Sequence, residues 1–219
     1  MSELFEFWSD NLSTMLDGLV VSIQVTSLSL VLGLPLGLLL ALGVQSRSRP
    51  IYWMSMMLVE IGRGAPALIL LQFWYFGLSN AGITLSSFVA AVAALAWNTG
   101  AYTSEIIRAA LLAVPQGQRE AAIATGMNGT DTLRFIIVPQ ALVVAAPALL
   151  GFAVSLLQAT SLCFAIALPE LLSQAYMIGT NTFRYMPILC LAAILYALLC
   201  IPASIMVSAL ERRYHVHAR

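Results

Sequence analysis

Polar positions are sparse along this chain, and where they fall divides it. Apolar stretches run from Gly18 to Ser46, near Tyr52 to near Leu78, about Ile83 to about Leu112, Phe135 to Leu168, and Tyr185 to Leu210. A bilayer core is crossed by about 20 apolar residues in a helix, so the pattern predicts five transmembrane helices. Arg47, Arg49 and Pro50 close the first span, and Ser79-Asn80-Ala81-Gly82 makes a turn after the second. A polar segment, 115–134, separates the third from the fourth. Pro169-Glu170 then opens a loop that reaches Arg184. The fourth stretch is 34 residues long, about 50 Å as helix. That exceeds a hydrocarbon core of about 30 Å, so part of it projects or breaks, with Pro139 or Pro147 the expected place.

The two ends differ from the middle. In residues 1–17, Leu4, Phe5, Trp8, Leu12, Met15 and Leu16 recur at helical spacing, with Glu3, Glu6, Asp10 and Asp17 on the other face. This predicts a short external helix lying in the membrane interface, and the missing basic start argues against a signal peptide. Residues 18–210 form the transmembrane domain, and 211–219 a cytoplasmic tail. With five spans and the N-terminus outside, the inside collects Arg47, Arg49, Arg108, Arg119, Arg134, Arg212, Arg213 and Arg219. The outside collects only Arg184. This asymmetry sets the orientation and places segment 115–134 in the cytoplasm.

Composition narrows the function. At 60% hydrophobic, 9% charged and a mean hydropathy of +0.91, the chain is not a soluble domain. Zero net charge argues against a nucleic-acid partner. Every basic residue is Arg, and a P-loop needs a Lys to reach the β- and γ-phosphates. ATP, if it powers this protein, is therefore bound by another polypeptide. Cys163, Cys190 and Cys200 all lie in apolar stretches and read as small hydrophobes. His215 and His217 are two apart in the tail, off the spacing of a helical metal pair. No metal site, no catalytic cluster and no cofactor bound by this chain are expected. The external loops are too small for a solute-binding domain, and no internal repeat supports a single-chain carrier.

Segment 115–134 is too regular for a spacer. Pro115 suits the first position of a helix over Gln116–Thr125, with Gly126 placed to end it in the left-handed conformation. Thr130 with Asp131 is the expected cap of the next helix. Small residues Ala121, Ala122 and Ala124 allow a neighbouring backbone close, and Arg119 and Glu120 supply charge at the rim.

Glu120-Ala121-Ala122, Gly126, Ile136 and Pro139, with Val138 in a Leu position, resemble the "EAA" signature of ABC importer permeases. Other blocks are similar to the polar amino-acid branch of that family, the histidine, glutamine and arginine type. They are Arg63-Gly64-Ala65-Pro66; Gly100-Ala101-Tyr102 with Glu105, Arg108 and Ala109; Gly117-Gln118; Pro139-Gln140-Ala141; and Thr160-Ser161-Leu162. The similarity spans roughly residues 18 to 213. It implies a type I importer permease fold in a bacterial inner membrane. It also implies two permease subunits, identical or not, and an external solute-binding protein. Two ATPase subunits carrying ATP and Mg would dock on the EAA helices. Gly117, Glu120, Ala121, Ala122, Gly126 and Pro139 would then be the ATPase-coupling residues. The chain departs from the family in having Gln158-Ala159 where Lys is common before Thr-Ser-Leu, and Gly151 where Asn is common.

Intramembrane polar groups need partners or water. Glu60 with Arg63, and Glu105 with Arg108, are spaced to pair along a helix, as structural or gating ion pairs. Gln72, Asn98, Gln158, Thr160 and Ser161 are candidates for the substrate path, or for hydrogen bonds between helices. Gly33, Gly37 and Gly43 read as close-packing sites. The alternative function is a passive channel or a secondary-carrier subunit, which leaves the EAA segment without a purpose.

Overall fold

The structure, a computed structural model, describes residues 2–216, without the side chains at 2, 211 and 213–216. Among the described residues every regular element is helical. The first helix, α1, spans Ser2–Gly43 without a break. The segment expected as a separate interfacial helix is thus the start of the first span. Its Phe7, Met15 and Leu19 are buried in one cluster with Leu171 and Ile188. Trp8 donates from Nε1 to the Pro187 carbonyl at 3.0 Å, and the Arg184 guanidinium lies 5.3 Å from the Phe7 ring centre. Packing against the C-terminal helices holds these turns in line with the rest of α1.

Helix α2 is Arg49–Gly64 and α3 begins at Ala67. The second apolar stretch, expected as one span, is bent by 105° between them. Pro66 supplies no N–H for the α2 ladder, and Ala65 before it is extended (φ −81, ψ 134), as residues preceding proline tend to be. Beyond the bend α3 (Ala67–Gln72) widens into a π turn over Phe73–Gly77 and ends with Leu78–Asn80. Helix α4, Ser87–Ala113, starts later than the sequence suggested because Ser86 caps it, its side chain accepting from the Val89 amide at 3.3 Å.

The short helix α5 is Gln116–Ala124. A single turn, Gly129–Asp131, and a π turn, Thr132–Ile137, lead into α6, Val138–Ala159. The expected break in this long run does not fall at either proline. Pro139 sits in the first turn of α6, where a missing N–H is tolerated, and Pro147 is accommodated inside the helix. The run instead stays helical from Gly129 to Ile166, changing at Thr160 to a 3₁₀ segment, Thr160–Ile166, that ends with Ala167 in the left-handed region. Two helices complete the chain, α7 (Leu171–Thr182) and α8 (Tyr185–Val216). Helix α8 continues past the expected end of the fifth span at Leu210. Of the expected tail, His217 and Arg219 lie outside the described residues, as do the side chains of Arg213 and His215.

Three helical stretches are long and apolar enough to cross a membrane singly: Glu3–Gly43, Gly129–Ile166 and Tyr185–Leu210. The bent pair α2–α3 makes a fourth, broken candidate. Helix α4 is not in that set, and its polar Asn98 and Thr99 are buried, with Gly100.

Helix α4 is the centre of the molecule. Against α1, a Cβ placed on Gly33 would stand 2.6 Å from the Thr99 Cβ, and one on Gly37 would overlap the Thr103 hydroxyl. The absent side chains bring the two backbones together, and in lipid such close packing replaces the hydrophobic drive available in water. Gly43 meets Ser55 of α2 in the same way. Of the cysteines, Cys163 and Cys200 are buried as expected, while Cys190 is exposed.

Candidate coupling surface and translocation cleft

The polar segment folds as its residues dictate. Pro115, at φ −56 and ψ 137, precedes α5 and fixes its entry. At the other end the Gly126 amide bonds the Ile123 carbonyl (2.9 Å) and the Met127 amide the Ala122 carbonyl (3.1 Å). Gly126 stands at φ 85 between them, which completes a Schellman ending and suits glycine. The cap of the next turn is Asn128 rather than Thr130 with Asp131. Its Oδ1 accepts from the Asp131 amide at 2.9 Å while its Nδ2 donates to the Asp131 carboxylate at 2.7 Å.

Helix α5 buries a single side chain, Ala122. Gly117, Arg119, Glu120 and Ala121 are exposed, and Ile123 is 68% exposed. A groove of about 470 Å³ borders the helix, lined by Gln45, Leu112, Val114, Arg119, Glu120 and Ile123. No atom lies within 4 Å of a Cβ built on Gly117, so this chain's own packing does not require glycine there. Pro139, 22 residues after Gly117, is exposed at the start of α6. Of the six residues expected to couple, Gly117, Glu120, Ala121, Gly126 and Pro139 are exposed, while Ala122 is buried.

A second site forms at the bend between α2 and α3. The break frees carbonyls at the end of α2, and α4 supplies their partners. Asn98 donates from Nδ2 to Gly62 O (2.9 Å) and Tyr102 from its hydroxyl to Arg63 O (3.3 Å), while a turn further back Trp97 donates from Nε1 to Leu58 O (3.1 Å), a carbonyl still inside the helix. Beside this seam lies a cleft of about 540 Å³, lined by Arg63, Pro66, Asn98, Tyr102, Phe152 and Ser155. Tyr102 stacks on Phe152 of α6 with ring centres 5.8 Å apart. Ala65, Pro66 and Ala67 also line the cleft, so the N-terminal end of α3 opens onto it with its partial positive charge.

The candidate path residues do not converge. Asn98 lines this cleft, with Arg63. Gln158 and Ser161 share a different hollow of about 360 Å³ with Tyr196 of α8. Thr160 is buried, its hydroxyl donating to Leu157 O at 2.6 Å, and Gln72 is exposed and lines neither hollow. Both ion pairs form. Arg63 meets Glu60 at 2.9 Å with both side chains well exposed, and Arg108 meets Glu105 at 2.7 Å in a more sheltered place.

Sequence reasoning missed Phe152, Ser155, Tyr196 and Glu170. Glu170 was expected only as part of a loop. It is fully buried, accepting from the Leu172 and Ser173 amides (2.9 and 2.8 Å), the Ser173 hydroxyl (3.0 Å) and the Tyr196 hydroxyl (3.1 Å). Its one legible signal is an acid immediately ahead of an apolar helical run, at the N-cap position.

Residues 33–216 match the family described as binding-protein-dependent transport system inner membrane component. The chain is 33% identical to the arginine transport system permease protein ArtQ of Bacillus subtilis over 199 residues, covering 90% of this chain and 91% of that one. It is 38% identical to the L-cystine transport system permease protein TcyB of the same organism, covering 90% and 84%. With the glutamate/aspartate import permease protein GltK of Escherichia coli it shares 32%, covering 96% and 99%. Among solved structures, an amino acid ABC transporter with histidines superposes with a TM-score of 0.88 at 33% identity, covering 95% of this chain and 98% of that one. The MetNI methionine ABC transporter, at 24% identity and a TM-score of 0.69 over 92% and 98% of the two chains, shares the fold. The chain belongs to the binding-protein-dependent transport system inner membrane components, as an ABC importer permease on the amino-acid branch of that family.

Proposed function

We propose that this permease imports amino acids, driven by ATP bound with Mg to a separate ATPase that docks on α5. The observation that carries this reading is α5 itself. A helix that buries only Ala122 and leaves Ile123 68% exposed, at the turn between two long helices, is a surface made for a partner. Gly117, Glu120 and Ala121 form the docking face, Ala122 seats the helix on its own chain, and Gly126 and Pro139 set the angle at which it meets α6. The complex contains two ATPases, a second permease and an external solute-binding protein. It lies in the bacterial inner membrane, with five spans and the N-terminus outside.

The cleft beside the bend is the best-formed part of the path. Asn98, Tyr102 and Ser155 offer neutral hydrogen-bonding groups, and Arg63 and the N-terminal end of α3 favour an anion. Together these suit the carboxylate of a zwitterion. Gln158, Ser161 and Tyr196 line a neighbouring hollow for a later or earlier stage.

Purification through a tag on this chain tests the reading. An ATPase should remain bound through detergent extraction, and Glu120→Ala or Gly126→Val should weaken its stimulation while membrane insertion is unaffected. Retention of no ATPase, with solute flux through this chain alone, would make it a channel.

A further inference from the structure

Between α5 and α6 lies a polar contact that the docking reading does not use. Gln140, in the first turn of α6, donates from Nε2 to the Gln118 Oε1 of α5 at 3.3 Å and to the Ile136 carbonyl at 3.0 Å. Among the described residues this is the only side-chain hydrogen bond from α5 to another element; the rest of its seat is the small apolar contact at Ala122.

The place where Gln140 grips α6 is mechanically distinct. Ile136 lies in the π turn Thr132–Ile137, where the helix is wider than an α-helix, and Pro139 contributes no N–H to the ladder just beyond it. One amide nitrogen therefore joins α5 to a carbonyl at the least regular point of the helix that follows. An apolar contact through an alanine resists compression but slides under lateral load. A directional hydrogen bond transmits a pull.

We propose that Gln140 is a positioning residue for coupling. Clasped to Gln118, it converts displacement of α5 into a pivot of α6 about the π turn at Thr132–Ile137. The inference rests on the proposed docking of an ATPase on α5 and adds how the movement leaves that helix. With the clasp removed, the ATPase still docks and hydrolyses ATP, but fewer turnovers carry α6, and with it the Phe152 and Ser155 wall of the cleft.

The test uses the intact complex, tagged on this chain, reconstituted in proteoliposomes with its solute-binding protein. An equimolar mixture of radiolabelled L-amino acids is the probe, and the readout is uptake per ATP hydrolysed. Gln118→Met and Gln140→Met keep side-chain length but lose the amide, and each should lower that ratio about fivefold while the ATPase stays bound. The double variant should be no worse than the worse single one. Gln140→Lys, which keeps a donor, should retain more than half the native ratio. Because Gln118 is exposed, Gln118→Met reports on the clasp even where changes at Gln140 impair folding. Unchanged ratios in the single variants, or additive losses in the double one, overturn the clasp. Failure of the native complex to retain an ATPase overturns the docking reading instead, so the two outcomes are distinguishable.

Discussion

Asn98 of α4 holds the Gly62 carbonyl of α2 at 2.9 Å, one residue before Arg63 and three before the chain bends at Ala65. The bend removes helical partners from the last carbonyls of α2, and in a membrane an unpaired carbonyl is costly. Asn98 thus stabilises the break from a different helix while it lines the cleft the break creates. Asn98→Leu should destabilise the protein by about 1 kcal/mol and lower transport more than stability. Thermal unfolding in detergent, paired with uptake in proteoliposomes, separates the two effects. An unchanged midpoint and unchanged uptake would remove Asn98 from both roles.

The contact of α1 with α4 gives a sharper steric prediction. A Cβ on Gly33 meets Thr99 at 2.6 Å and the Ala96 carbonyl at 2.8 Å, and backbone atoms cannot step aside. Gly33→Ala should therefore cost about 1–3 kcal/mol through overpacking. Gly64→Ala, where nothing lies within 4 Å of the new atom, is the matched control and should leave the unfolding midpoint in place.

Gly117 and Gly126 separate packing from partnership on α5. Gly126→Ala forces a side chain into φ 85 and should weaken the end of α5 by about 1 kcal/mol, seen as faster amide exchange at Met127. Gly117→Ala meets none of this chain's own atoms, so stability should hold. If an ATPase seats there, its stimulated rate falls all the same. A Gly117→Ala variant with the native ATPase rate would show that the partner does not approach at that point.

Glu170 joins the start of α7 to α8 through four hydrogen bonds. Glu170→Ala removes a helix N-cap and strands the Tyr196 hydroxyl, so it should destabilise by about 2–4 kcal/mol. Glu170→Gln keeps an acceptor and a similar volume and should lose less than half as much. Equal losses in the two variants would show that the site needs the carboxylate itself.

Labelling tests whether water reaches the cleft. In a Cys190→Ser background, which removes the exposed native thiol, Ser155→Cys should react with a water-soluble maleimide. Ala145→Cys, at a position 2% exposed on the same helix, should not. An unreactive Ser155→Cys would mean that water does not reach the cleft.

Much of this was legible locally. The short helix from Gln116, its left-handed ending at Gly126 and both ion pairs follow from side chains within four residues of one another. The close-packing role of Gly33, Gly37 and Gly43 was also readable, because only packing explains glycines in a long apolar helix. The bend at Ala65-Pro66 had a visible cause, a Gly-x-Pro step, but an apolar run of that length reads as one span. The run from Phe135 was expected to project or break at a proline, and instead it stays helical past both and turns 3₁₀ at Thr160. Proline in a first turn costs nothing, whereas the 3₁₀ segment is buried against α3 and carries Thr160 and Cys163 into the core.

By itself, then, the sequence determined that the chain is helical and membrane-embedded, and that residues 115–134 hold a short helix ended by a left-handed glycine, with exposed charge. These properties depend on hydrophobic periodicity and on neighbours within a turn or two. Tertiary structure decided where the long helices bend and which polar residues share a space. It placed Asn98 with Arg63, Tyr102 and Ser155, separated them from Gln158 and Ser161, buried Glu170, and clasped Gln118 to Gln140. Each of those outcomes depends on groups far apart in the chain being brought together, which no local pattern records.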